Sequence, residues 1–289
     1  MSTIVEAPHA HLAADVDGPL TGRRIYRHAI FARATHWLWP LAMLVLAMSG
    51  LQIFNAAPYL DASDKSDPAR RVLAFGAHLD AAGRPVGTTT IFGREVVTTH
   101  LFGYTDGGLG DEAPRAFPAW LTLPGYQDLA DGRRWHLLFA WVLFAAWLAY
   151  IIGAAIRGTL GEWIVRPSDL PKLWPMQAYY LHLRPVPPPH GTYNPLQKVT
   201  YTVVLFGLFP LFFATGLALS PGIDAAARWL PALFGGRQFA RTWHFAALVL
   251  LTGYVGTHLI LVATTGAWNN VRSMLTGWYV LKPHDGVGP

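Results

Sequence analysis

Hydrophobic and polar positions alternate along this chain in long blocks. Four apolar runs, at about residues 32–54, 135–156, 199–219 and 242–264, each approach or exceed the 20 or so residues that a helix needs to cross a bilayer. Between them lie polar stretches rich in Gly, Pro and charge. The pattern predicts an all-α integral membrane protein, a four-transmembrane-helix bundle with an extramembrane loop insertion over 55–134 between the first two helices. In that loop TTTIF and EVVTT flank Gly93-Arg94, which predicts a hairpin with a glycine-first type II′ turn. Arg157 to Lys198 reads as a polar connection whose Pro187 to Pro189 run excludes a helix there. Pro40 and Pro210 lie inside the first and third spans, where each removes one ladder hydrogen bond.

Composition agrees with the pattern: 52% of the 289 residues are hydrophobic and only 13% are charged. Residues 1–22 lack an apolar core and predict a flexible cytoplasmic tail, leaving 23–289 as a single four-helix membrane domain. Lys and Arg divide evenly between the two sides. The cluster Arg23, Arg24, Arg27 and Arg33 before the first span nevertheless favours cytoplasmic N- and C-termini and a periplasmic 55–134 segment. The net charge of +5 flanks apolar runs instead of forming a basic helix, so nucleic acid is not an expected partner. Cysteine is absent, which excludes disulfides, cysteine-ligated iron–sulfur clusters and covalently attached haem.

The candidate chemistry is four histidines. His244 and His258 lie fourteen residues apart on the last span, which on a helix is about 21 Å of rise with about 40° of drift, so both face one side. Spans two and four run parallel and span one antiparallel to both. His136, early in span two, therefore shares a depth with His244, and His36, early in span one, with His258. Two facing imidazoles suit the axial positions of a b-type haem. Zinc would require further ligands, and the spans hold no Asp, Glu or other His at those levels. The expected cofactors are two haem b, with pairs His136/His244 and His36/His258. A histidine near a helix end is also an ordinary interfacial residue, and a histidine-lined transporter or proton channel is the rival reading. The other histidines, among them His78, His100, His182 and His190, lie outside the spans as surface residues.

Gly50, fourteen residues after His36, faces the bundle at the level of the His136/His244 pair and would leave room for a flat macrocycle, although small residues also serve plain helix packing. Arg133, Arg134 and Arg241 stand where haem carboxylates would emerge, as charge-assisted partners or as interfacial anchors. Arg33, Tyr193 and Gln197 are candidates for the opposite propionates or a quinone head group.

The stretches A-R-A-T-H-W, G-R-R-W-H, Y-N-P-L-Q-K and H-x13-H together resemble the bacterial cytochrome b561-type subunits, a group that includes the membrane cytochrome b subunits of nickel–iron hydrogenases and formate dehydrogenases. The resemblance covers roughly residues 25–56 and 118–280. It implies a four-helix bundle holding two b haems on the residues matching His36, His136, His244 and His258. It also implies electron exchange between membrane quinone and a periplasmic oxidoreductase subunit. The Y-N-P-L-Q-K version, with the G-G-R-Q-F-A-R-T-W-H run, looks most similar to members serving periplasmic molybdopterin oxidoreductases. Residues 58–115 depart from the compact family pattern, which leaves the partner open; a stand-alone transmembrane reductase is the alternative.

Overall fold

The computed structural model describes residues 22–281 apart from 65 and 192. The expected tail at 1–22 therefore lies, but for its last residue, outside the described residues. Four helices are long and apolar enough to cross a membrane: α1 (Ile30–Asn55), α2 (Leu129–Ile156), α3 (Pro195–Ala218) and α4 (Arg237–Thr264). They extend beyond the apolar runs that announced them, because polar and charged first turns such as 129–134 and 237–241 continue the same hydrogen-bond ladder. Many of their large apolar side chains, including Leu137, Leu138, Trp141, Ile152, Leu250 and Leu259, are exposed. Unpaired apolar helix surface of this extent suits lipid, not water.

Pro40 lies inside α1 without ending it. Pro210 has a larger effect. It cannot donate to the carbonyl four residues back, and just upstream the ladder widens into a π turn over Val204–Leu208, with the Phe209 N–H reaching Val204 O. The indole of Trp147 on α2 donates to Leu205 O at 3.0 Å, providing a partner for a carbonyl of the widened turn.

The chain divides into two compact units. The first comprises Met1–Trp37, Arg157–Thr202 and Val255–Pro289. Here β1 (Arg24–Tyr26) pairs antiparallel with β8 (Trp278–Val280), register Ile25↔Tyr279, closing a ribbon beside the amphipathic helix α5 (Ala267–Thr276). Trp37 Nε1 donates to Met274 O at 3.1 Å, and the Arg33 guanidinium donates to Leu275 O. In the Arg157–Thr202 stretch the short helices Leu160–Trp163 and Leu173–Tyr180 form, and Pro187 to Pro189 stay non-helical as expected.

The second unit comprises Leu38–Ile156 and Val203–Tyr254. It corrects the all-α expectation, because the residues between α1 and α2 build sheets. β2 (Tyr59–Asp61), β3 (Arg71–Leu79), β4 (Pro85–Ile91) and β5 (Arg94–Val97) form an antiparallel sheet in that order, and β6 (Gly103–Asp106) pairs with β7 (Glu112–Arg115). The hairpin turn is displaced from its expected place. Ile91 pairs with Arg94, so the loop is Phe92-Gly93, and both residues have positive φ (46° and 77°), the signature of a type I′ turn instead of II′.

The sheets are fixed to the helices by an aromatic cluster and a polar one. Phe54 of α1 and Phe245 of α4 pack with Phe75, Phe102 and Phe117, with ring centres of Phe54 and Phe117 5.6 Å apart. Beside them the buried guanidinium of Arg115 donates to Gly107 O and Gly125 O (both 3.0 Å), Thr122 Oγ1 (2.9 Å) and Gln52 Oε1 (3.2 Å). Asn55 completes the join by accepting the Phe117 N–H at 2.9 Å. Burial depresses the Arg115 pKa, yet with this many acceptors the group stays a cation.

Candidate functional site: two facing histidine pairs

The second unit brings His136 of α2 and His244 of α4 face to face, with ring centres 6.2 Å apart and planes at 68°. Both imidazoles are anchored at Nδ1. His136 Nδ1 lies 3.1 Å from Leu46 O and 3.1 Å from Ser49 Oγ on α1; His244 Nδ1 lies 3.1 Å from Phe212 O and 3.0 Å from Thr215 Oγ1 on α3. A carbonyl only accepts, so the ring proton sits on Nδ1 in both and the lone pair is left on Nε2. The ring of Phe212 stacks flat on His244 at 4.3 Å. A Cβ placed on Gly50 would lie 3.2 Å from His136 Cε1, and one on Gly216 3.2 Å from His244 Cε1. Each glycine thus gives its neighbouring imidazole room to lie against the helix. Gly50 therefore makes space for the histidine ring itself.

The two half-sites are built alike. On α2 and α4 the histidine ends an R-x-W-H stretch, at Arg133–His136 and Arg241–His244. On α1 and α3 the cradle reads apolar-x-x-[Ser/Thr]-Gly-Leu, at Leu46–Leu51 and Phe212–Leu217. Sequence reasoning passed over Ser49, Thr215 and Gly216. Comparing the helix pairs with one another for this repeat is the signal that would have found them.

The first unit brings His36 of α1 and His258 of α4 together, also with ring centres 6.2 Å apart, planes at 56°. Trp37 meets His36 edge-on at 5.3 Å. His36 Nδ1 is buried and has no hydrogen-bond partner among the described residues.

The spacing tests what such pairs hold. Metal–imidazole bonds of about 2.0 Å, with the bonded nitrogen about 1.1 Å from its ring centre, put two trans imidazoles a little over 6 Å apart and tetrahedral ones nearer 5 Å. Both pairs match the trans arrangement. Among the described residues no group of three His, Cys, Asp or Glu side chains converges on a metal position, so a metal held here needs its remaining ligands from a macrocycle.

The other candidates fall elsewhere. Arg133 is exposed at the start of α2, while Arg134 pairs with Asp131 at 2.8 Å on the surface. Arg241 donates to Ala57 O and lies over the rings of Phe54 (4.9 Å) and Tyr59 (5.6 Å), so it ties α4 to the sheet segment. Gln197 starts a helix: its Oε1 accepts the Asn194 N–H at 3.0 Å while Asn194 Oδ1 accepts the Gln197 N–H at 2.9 Å, a reciprocal cap with Pro195 next to it. Tyr193 packs edge-on against Tyr201 at 5.4 Å. Lys198 bridges to the buried Asp169 at 3.2 Å, and the Arg166 backbone N–H with this ammonium holds the Asp169 carboxyl below its ordinary range. The Y-N-P-L-Q-K stretch is in this sense a helix-start device. His78, His100, His182 and His190 are exposed, as expected.

Four apolar helices carrying two close pairs of imidazoles define a multi-pass membrane protein whose histidine spacing suits haem. The chain belongs to the prokaryotic cytochrome b561 family, whose sequence model matches residues 27–277. Membership implies haem b and electron transfer. Among curated proteins it is similar to a putative protein-methionine-sulfoxide reductase subunit, YedZ1, of Azospira oryzae, at 23% identity over 244 residues covering 82% of this chain and 89% of that one. It is also similar to the putative cytochrome YdhU of Escherichia coli, at 28% identity over 156 residues covering 50% of this chain and 57% of that one.

Proposed function

We propose that the protein is a di-haem b-type cytochrome of the bacterial inner membrane, passing electrons between the quinone pool and a periplasmic oxidoreductase subunit. The observation that carries this reading is the pair of 6.2 Å imidazole separations, one in each compact unit. His136 and His244 would hold one haem b and His36 and His258 the other. Haem supplies a one-electron carrier that neither gains nor loses ligands.

The residues of the chain then do three things. Leu46 O and Phe212 O fix the tautomers that direct His136 and His244 Nε2 at the iron. Gly50 and Gly216 admit the rings. Arg133, exposed three residues before His136, offers a cation to a haem carboxylate emerging at the start of α2. The partner is of molybdopterin or hydrogenase type; the sulfoxide-reductase name of the Azospira relative supports an oxidoreductase partner. The sheet segment 56–128 lies on the side we assign to the periplasm and is the surface nearest such a partner's approach.

The test is the reduced-minus-oxidised spectrum of the purified protein together with pyridine-extracted haem per chain. Two haems per chain are expected, and a colourless protein made with ample haem supply overturns the reading.

A further inference from the structure

The Nδ1 edges of His136 and His244 each meet two acceptors, and a single one would fix the tautomer. The backbone carbonyls of Leu46 and Phe212 already do so at 3.1 Å. The hydroxyls are committed in a particular sense: Ser49 Oγ donates to Val45 O at 2.6 Å and Thr215 Oγ1 to Leu211 O at 2.7 Å, each four residues back along its own helix. With its hydrogen spent there, each hydroxyl presents lone pairs to the ring N–H. Both side chains are fully buried, so no water competes for them. The arrangement occurs twice, on two different helices, with the same neighbouring glycine.

A second acceptor on the far N–H gives an imidazole more imidazolate character and makes Nε2 a stronger donor to a metal. A stronger donor favours the oxidised, more positively charged metal over the reduced one. We infer that Ser49 and Thr215 are positioning residues that hold down the reduction potential of the group bound between His136 and His244, one from each axial side. This rests on the reading of that pair as haem ligands. The His36/His258 pair, where His36 Nδ1 has no hydrogen-bond partner among the described residues, lacks this device on the His36 side.

The experiment uses the full-length protein in detergent with both haems, and the variants Ser49→Ala, Thr215→Ala, the double alanine variant, Ser49→Thr and Thr215→Ser. Optical redox titration gives both midpoint potentials, low-spin ferric EPR gives the ligand field, and pyridine extraction gives haem content. Expected is unchanged haem content, one midpoint raised in each alanine variant and raised further in the double, the other midpoint fixed, and wild-type values in the Ser/Thr exchanges. Alanine variants that keep both haems and both midpoints overturn the inference. So does haem loss in them that the Ser/Thr exchanges do not show, since that would make the hydroxyls supports of binding and not of potential. A His136→Ala variant that keeps the full haem content of the wild type would instead sink the assignment beneath it.

Discussion

The two histidine pairs share one separation and differ in how the protein holds the rings. His136 and His244 are each fixed by a carbonyl and a hydroxyl at Nδ1 and seated against a glycine, and Phe212 stacks on the second. In the other pair His36 Nδ1 is buried with no hydrogen-bond partner among the described residues, and His258 is exposed. Near His258 the helix carries Gly253 and Gly256, around which a Cβ would meet nothing within 4 Å. The orientation of the first pair is set by the polypeptide; no hydrogen bond among the described residues sets the ring of His36 at Nδ1. Hydrogen-bond partners at Nδ1 would orient and tune a metal-binding imidazole, and the two pairs differ in having them.

Removing ligands gives the largest effect and breaks the comparison outright if it fails. His244→Ala and His136→Ala are expected to lose the same haem, and His258→Ala the other, each halving the extracted haem. Gly50→Leu is expected to do what His136→Ala does, because its side chain would take the space of the His136 ring, whereas Gly253→Ala and Gly256→Ala keep both haems; equal haem loss in all three would remove the distinction between the sites. Arg115→Leu strands buried acceptors on Gln52, Thr122 and two carbonyls and is expected to cost at least about 3 kcal/mol. Proteolysis within 56–128 should accelerate, with the spectrum of the His36/His258 haem unchanged.

The smallest effect is one of pH in the first unit. Burial, reinforced by the Arg27 charge, pushes His28 down to about 4 from an ordinary 6.5. Between those values the unfolded chain binds a proton that the folded chain refuses, so the contribution is intact above about pH 6.5 and is lost as pH falls towards 4. Thermal unfolding followed from pH 7 to 4.5 should show this decline, and His28→Gln should flatten it.

Much of this was legible in the residues. The four spans follow from hydropathy, and the depth logic that paired His36 with His258 and His136 with His244 matches the rings that meet, because antiparallel helices of fixed rise leave few alternatives. The sheets were less legible. Beyond the expected hairpin, Arg71–Leu79 is half-buried over its first five residues and exposed over its last four, which leaves no in–out alternation for a period-two reading to find. The turn at Phe92-Gly93 was misplaced by one residue because a phenylalanine with positive φ is uncommon. Arg241 and Gln197 looked like ligand contacts, since sequence shows a charge or an amide without showing the nearer carbonyl or helix end that occupies it. Ser49 and Thr215 escaped notice because a hydroxyl inside an apolar run is mostly a self-satisfied helix residue.

The β1–β8 ribbon bears on biogenesis. Tyr26 meets Trp278 and His36 meets His258 across more than 200 residues of chain, so each contact closes a long loop. His136 and His244 are both available earlier. The His136/His244 pair is therefore expected to come together first during synthesis, and the pair beside the ribbon last.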